Sequence, residues 1–385
     1  TNMMIDINSR ISLSNNDGNT ENTVFGYKSL TNNGTVLGDV SADYNTSIGH
    51  MSMGTGTTTD ATWNVAVGGN TLTDITSGDA NVAVGFDSET NITIGRYNVA
   101  VGTNSLKSET IGDGTIAIGE SAGFSQVSDS NNETTGNTAI GFTTAYYNVT
   151  GTNNTYLGSK AGYGATGQSN SSNVGVGADA LTAITTGTDN VAVGIKALEA
   201  LTDSQYNVGI GRQAAFKITT GDKNISIGGG TLAVATTASN IIAIGHDAAY
   251  SVSASNTASD GTIAIGTSAL NALTSGGYNT SVGYRSSMAL VDGSSNTSLG
   301  YDSLLALTGG GSNVAIGAAA FKSAAVGETG NVIIGHGAAD LFDEGVAGGD
   351  IDYNIAIGYD AFIGGDLAGA DLQVQGNIAI GAFAL

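Results

Sequence analysis

A five-residue phrase returns along the whole chain. It runs polar, β-branched, small, apolar, glycine, as in "NVAVG" (190–194) and "NIAIG" (377–381). Its glycine falls at Gly26, Gly49, Gly68, Gly85, Gly102, Gly119, Gly141, Gly158, Gly177, Gly194, Gly211, Gly228, Gly245, Gly266, Gly283, Gly300, Gly317, Gly335, Gly358 and Gly381. Of the 19 intervals between these twenty glycines, 11 are 17 residues long and the rest run from 18 to 23. A period of that size marks a stacked repeat whose single copies are too small to bury a core alone.

Each column of the phrase has a physical reading. Three residues before the glycine stands Val, Ile or Thr in every copy; one residue before it stands Val, Ile or Leu, except at Phe25. Side chains alternate along a strand, so these two positions share a face, and it is read as the core face. The position between them is Ala, Ser or Gly in 17 of 20 copies, with Val24, Tyr156 and Ile333 departing. A water-facing position has no reason to be uniformly small and uncharged. The column Ala66, Ala83, Ala100, Ala117, Ala192, Ala243, Ala264 and Ala315 is therefore expected at an interface where another backbone approaches. Four residues before the glycine, 17 of 20 copies have Asn; Thr115, Ile241 and Thr262 depart. Asn64, Asn81, Asn98, Asn190, Asn207 and Asn224 are expected to form a ladder of side-chain amides from rung to rung.

A second apolar stretch follows the glycine, as in Ala180, Leu181 and Ile184, and a second turn glycine such as Gly78, Gly112 or Gly187 follows ten residues after the first. One rung is then expected to hold two short strands and two turns. The stretch "NITIGRYNVAVG" (91–102) looks like a doubled phrase, but Gly95 lies ten past Gly85 and Gly102 seventeen past it. "NITIG" reads as the second strand of one rung and "NVAVG" as the first strand of the next. The fold class is all-β, a parallel β-roll or β-helix solenoid of about 20 rungs with a modal period of 17 residues. Residues 1–21 form an N-terminal strand or cap segment and 22–385 a continuous repeat domain. Stacking at roughly 4.8 Å per rung gives a rod of about 90 Å. A lone two-stranded roll has few apolar positions to set against the ordering of seventeen residues, so lateral association of several identical rods is expected.

Composition narrows the function. The chain has 59 Gly, no Pro, no Cys and a net charge of −22. That charge excludes nucleic acid as a partner, because phosphate recognition needs clustered Lys and Arg. No apolar run reaches the roughly 18–20 residues of a membrane span, so no membrane insertion is expected. Without Cys there are no disulfides and no thiolate metal sites.

The repeats resemble the heads of trimeric autotransporter adhesins, whose Asn/Ser-Val-Ala-Ile-Gly phrase stacks as a left-handed parallel β-roll, three chains around an axis. That family's period is shorter, about fourteen residues. The longer form, "NVAVGIKALEALTDSQYNVGIG" (190–211), is more similar to repeats of tailed-phage fibres and related virion proteins, as is "IDINSRISLSNNDGNTENTVFGYKSL" (5–30). The resemblance implies a left-handed homotrimer, with two identical chains as partners.

Candidate sites are few. His50, His246 and His336 each follow a repeat glycine in separate rungs and read as exposed turn residues. Glycine-rich phrases follow the rung period and lack the Lys-Ser/Thr of a phosphate loop. Asp343, Glu344, Asp350 and Asp352 could offer oxygen ligands to calcium, though a solvated loop is the simpler reading. The long rungs at 124–136, 250–261, 341–352 and 362–376 are candidate recognition loops, with Tyr146, Tyr147, Tyr250 and Phe342 able to stack on sugar rings or to serve as packing. No catalytic set is recognisable, and no cofactor is expected. The expectation is a non-enzymatic structural fibre segment on the virion surface, or outside the cell, that carries a glycan- or protein-binding surface. The alternatives are a bacterial trimeric autotransporter-type adhesin and a monomeric ligand-binding solenoid.

Overall fold

The structure, a computed structural model of the chain, describes residues 9–12, 21–32, 35–36, 42–131, 133–253, 259–324, 326–340, 350–363 and 373–384. Among them the regular elements are strands. The chain divides into two compact units, Thr1–Asp189 and Asn190–Leu385. Each is an all-β parallel β-solenoid.

In the first unit, nine strands from Thr23–Tyr27 to Val174–Val176 pair in parallel, each with the copy before and after it. The register is unshifted: Val82, Ala83 and Val84 lie beside Val99, Ala100 and Val101. Ser9–Ser12 joins antiparallel to Thr23–Tyr27. In the second unit, eleven strands from Val191–Val193 to Ile378–Ile380 repeat the pattern. Each of the twenty phrases thus forms one strand of three to five residues. The repeat glycine explains why each strand stops. All twenty have φ between 124° and 147°. A Cβ on Gly102 would also lie 2.6 Å from the carbonyl carbon of Gly119 in the next rung, so only glycine fits this corner.

Two expectations are corrected. First, the faces of the strand are reversed. The small column points into the roll: Ala66, Ala83, Ala100, Ala117, Ala192, Ala243, Ala264 and Ala315 are all fully buried within a single chain. The flanking residues, such as Val99 and Val101, are half-exposed. The physical reason is the thinness of the roll. The far wall sends Leu and Ile inward, among them Leu72, Leu106, Leu181, Ile184, Leu198 and Leu201, all fully buried. Little depth remains for the strand's own side chains. A Cβ on Gly209 would lie only 2.9 Å from Leu198 Cγ. The close approach inferred from small residues is real, but the approaching wall belongs to the same chain.

Second, the stretch after the glycine is in most rungs a turn segment rather than a second strand. Left-handed backbone recurs at every second residue: Asp87 (φ 54°), Glu89 (φ 50°), Asn104 (φ 56°) and Leu106 (φ 48°) are all left-handed. That conformation costs a non-glycine residue roughly 1–2 kcal/mol. Bonds between rungs offset it. Asp87 N–H donates to Gly69 C=O in the preceding rung (3.0 Å), and Glu89 N–H to Ser105 C=O in the following one (2.9 Å). "NITIG" belongs to this segment. Ile92 is fully buried in the core as its column requires, and Gly95 turns the chain, yet the residues between them form bends. A second ladder does form where Asp350–Asp352 pairs with Gln373–Gln375.

Candidate functional site

The Asn column forms hydrogen-bonded ladders at one end of each roll's interior, interrupted at Thr115 in the first unit and at Ile241 and Thr262 in the second. Asn64, Asn81, Asn98, Asn190, Asn207 and Asn224 are all shielded from water. The Asn64 carboxamide oxygen accepts both the backbone N–H of Asn81 (2.9 Å) and its side-chain N–H (3.1 Å). The Asn81 amide also donates to the Gly95 carbonyl at 2.8 Å, which fastens the second turn of its own rung. The same set recurs in the second unit, where Asn207 donates to Asn190 and to the Gly221 carbonyl, and Asn224 to Asn207 and the Ala238 carbonyl. The carboxamides find partners because the neighbouring rung carries the same residue, or at Thr115 and Ile241 a backbone N–H, at the same height.

The interior also accommodates one large exception. Tyr156 replaces the small residue of its strand and is fully buried. Space comes from two glycines: a Cβ on Gly175 would lie 2.8 Å from the ring, and one on Gly162 would clash with it outright. The phenol donates to Asn170 Oδ1 at 2.6 Å. Burial raises its pKa and keeps the hydroxyl protonated.

A buried acid pair was not anticipated. Glu89 occupies the inward column that holds Leu72 and Leu106 in the adjacent rungs, and neither of its carboxyl oxygens has a hydrogen-bond partner. Burial, and then the Glu109 carboxylate, raise its pKa well above the usual carboxylate range; the Asn98 side chain opposes the shift. Glu109 is differently placed. Its Oε1 accepts N–H groups of Thr110, Ile111, Gly112 and Ser128 at 2.9–3.1 Å. The sequence signal was available: the one acid in a column where Leu is the commonest residue.

Outside the roll, the strand's two flanking positions make an apolar stripe along each unit. None of these positions is buried in any of the twenty strands, and none carries a charged residue. Leu157 is 46% exposed and Leu299 48%. Aromatic residues border the stripe on both sides. Before the strand stand Tyr44 and Trp63, stacked at 6.2 Å, with Tyr97, Tyr206, Tyr278 and Tyr353 all exposed. After the glycine, Tyr27 stacks on His50 (5.4 Å), Tyr284 on Tyr301 (5.7 Å) and His336 on Tyr359 (5.3 Å). Arg285 lies over the Tyr284 ring and pairs with Asp302 through two bonds of 2.8 and 2.5 Å.

Of the proposed sugar-stacking residues, Tyr146 and Tyr147 join a half-exposed aromatic column. Phe124, Tyr146 and Tyr163 stack at 4.9 and 5.5 Å, and Tyr147 meets Tyr146 and Tyr163 edge-on. Tyr250 lines a cleft in the second unit with His246. Phe342, Asp343 and Glu344 lie outside the described residues, and Asp352 accepts the Thr329 N–H at 2.7 Å. Among the described residues no three His, Cys, Asp or Glu side chains come together as a metal site, and no helix is long and apolar enough to cross a membrane. Compared with known proteins, the chain matches no family model and no curated sequence.

Proposed function

We propose that the chain is a structural fibre segment of a virion, a left-handed homotrimer that carries host-recognition surfaces and acts mechanically rather than as an enzyme. The observation that carries the trimer is the uncharged outer stripe. In a chain with a net charge of −22, forty half-exposed or exposed strand positions carry no charge at all. A long apolar stripe rimmed by aromatics marks a surface that other protein covers. The contact between chains then lies on the β-branched columns, such as Val99 and Val101, and not on the alanines. The resemblance to phage-fibre repeats supports the virion assignment, and the net charge of −22 is consistent with a role apart from the genome.

Light scattering tests the assembly. The wild-type chain is expected at three times its 38.2 kDa. Val99→Glu together with Val208→Glu should give a lower mass with the β-sheet spectrum retained, because both side chains face outward. A monomeric wild type would sink the trimer and favour the monomeric solenoid.

A further inference from the structure

The two positions just after the repeat glycine carry at least one side chain in every rung but one. In the rung that starts at Gly228, the next two positions are Gly229 and Gly230, and Ala233 stands where the neighbouring rungs carry Phe216 and Tyr250. The rung before it carries Arg212, Phe216 and Lys217 at the edge; the rung after it carries His246, Asp247 and Tyr250. A missing row of side chains between two full rows leaves a notch. It encloses about 470 Å³, within the roughly 300–1,000 Å³ of small-ligand sites.

The chemistry of the notch runs against the rest of the chain. Four of the eleven basic residues, Lys196, Arg212, Lys217 and Lys223, fall between 196 and 223. Arg212 and Lys217 line the notch, are exposed, and form no ion pair among the described residues. The contrast with Arg285 is direct: there the next rung supplies Asp302 and Tyr301, and the adjacent Tyr284 a second ring, so the guanidinium is engaged. At the notch the corresponding partner row is glycine. Asp247 is placed by the same gap. Its Oδ1 occupies the space a Cβ on Gly230 would need, and its Oδ2 lies 3.1 Å from His246 Nδ1.

We propose that this notch binds a carboxylate-bearing pyranose, a uronic or sialic acid residue of a glycan. Arg212 and Lys217 take the carboxylate through charge-assisted hydrogen bonds. Asp247 accepts from ring hydroxyls. Phe216 and Tyr250, on opposite sides of the gap, offer ring faces to the apolar face of the sugar. Cations alone would suit any small anion, and aromatics alone any sugar; their meeting in one cleft selects a sugar acid. The inference names a ligand class for the recognition surface proposed above, but the site lies within one chain and stands whether or not the chain trimerises.

The test is titration of the full chain, followed by NMR, with the methyl glycosides of glucuronic acid, N-acetylneuraminic acid and glucose, and with inorganic phosphate. At least one acidic glycoside should bind about tenfold or more tightly than the glucoside, a gap of about 1.4 kcal/mol; which acid binds better identifies the sugar. Arg212→Ala should weaken that binding about tenfold or more. Gly229→Tyr is the decisive variant. Its φ is permissive and a Cβ there makes only ordinary contacts, with His246 at 3.6 Å and the Arg212 carbonyl at 3.8 Å, so the fold holds, as Tyr284 and Tyr301 show for this column. It should fill the notch, abolish binding and leave the melting temperature unchanged. Binding that survives Gly229→Tyr, equal affinity for the glucoside, phosphate binding as tight as either acid, or no binding of either acid would each overturn the proposal.

Discussion

Two polar features lie inside the same roll a few residues apart, and they are solved in opposite ways. Asn81 and Asn98 are fully buried with every amide atom paired; Glu89, between them in sequence, is equally buried with both oxygens unpaired. The difference is periodicity. A residue repeated in every rung finds its own copy about 4.8 Å above and below, at hydrogen-bond height. A polar residue that occurs once finds only the apolar column it interrupts. In a stacked repeat, the cost of burying a polar group depends on its neighbours in the column more than on its own chemistry.

The sharpest way to break this comparison is to add another isolated acid. Ala100→Glu puts a carboxylate into the fully buried small column, with neither room nor partners. It should cost about 4 kcal/mol or more and unfold the first unit, read as loss of the sheet signal by circular dichroism. Asn81→Leu comes next. It strips a ladder partner from the Asn98 backbone N–H and leaves the Gly95 carbonyl unbonded. The expected loss is about 3 kcal/mol in urea unfolding, from unsatisfied groups at roughly 1–3 kcal/mol each. A loss below about 1 kcal/mol would mean that the ladder contributes little.

Glu89 should respond in the other direction. Glu89→Leu restores the column of Leu72 and Leu106, whose left-handed backbone (φ 47° and 48°) Leu already adopts, and should stabilise by about 1–3 kcal/mol at neutral pH. The pH profile separates this from simple packing. With its folded pKa raised, Glu89 keeps its proton in the fold at pH values where the unfolded chain, near 4.3, has lost it. Its contribution is fully present below about pH 4.3 and is lost as pH rises toward the folded value, by up to about 1.4 kcal/mol per pH unit. The stability difference between Glu89→Gln and wild type should therefore grow as pH rises from 4. A difference independent of pH would refute a buried, protonated Glu89.

Much of this was legible in the sequence, within a definable limit. The strand positions and the Asn ladder follow from columns that repeat, because repetition makes pairing between rungs unavoidable. Which side of the strand faces inward does not follow from hydrophobicity. Val99 and Val101 are more apolar than Ala100, yet Ala100 is inside, because Leu106 and its counterparts fill the interior from the opposite wall. Parity is set by the depth of the roll, and depth is a property of the closed rung. The turn segment was hidden for a related reason. Left-handed Leu106 or Asp87 carries no local signal as glycine would; bonds to neighbouring rungs impose that conformation. The notch at Gly229 shows only once side chains of adjacent rungs are set in register.

The smallest effect gives the finest test, because one substitution should change sign within one column. Thr115 and Thr262 both stand where Asn is usual, and both are buried. Thr115 has a partner at its level, since its hydroxyl bonds that of Thr135, which in turn donates to the Asp113 carbonyl. Thr262 follows Ile241, which offers no polar side chain, and its hydroxyl is unpaired. Replacing each by the near-isosteric Val removes the same oxygen. Thr115→Val should lose about 1 kcal/mol, because it removes a made hydrogen bond to Thr135, whereas Thr262→Val should gain about 1 kcal/mol by removing a group that was never satisfied and packing a methyl against Ile241. Shape and volume change alike in the two variants, so equal effects in thermal or urea unfolding would show that packing, and not pairing along the column, decides what the interior tolerates.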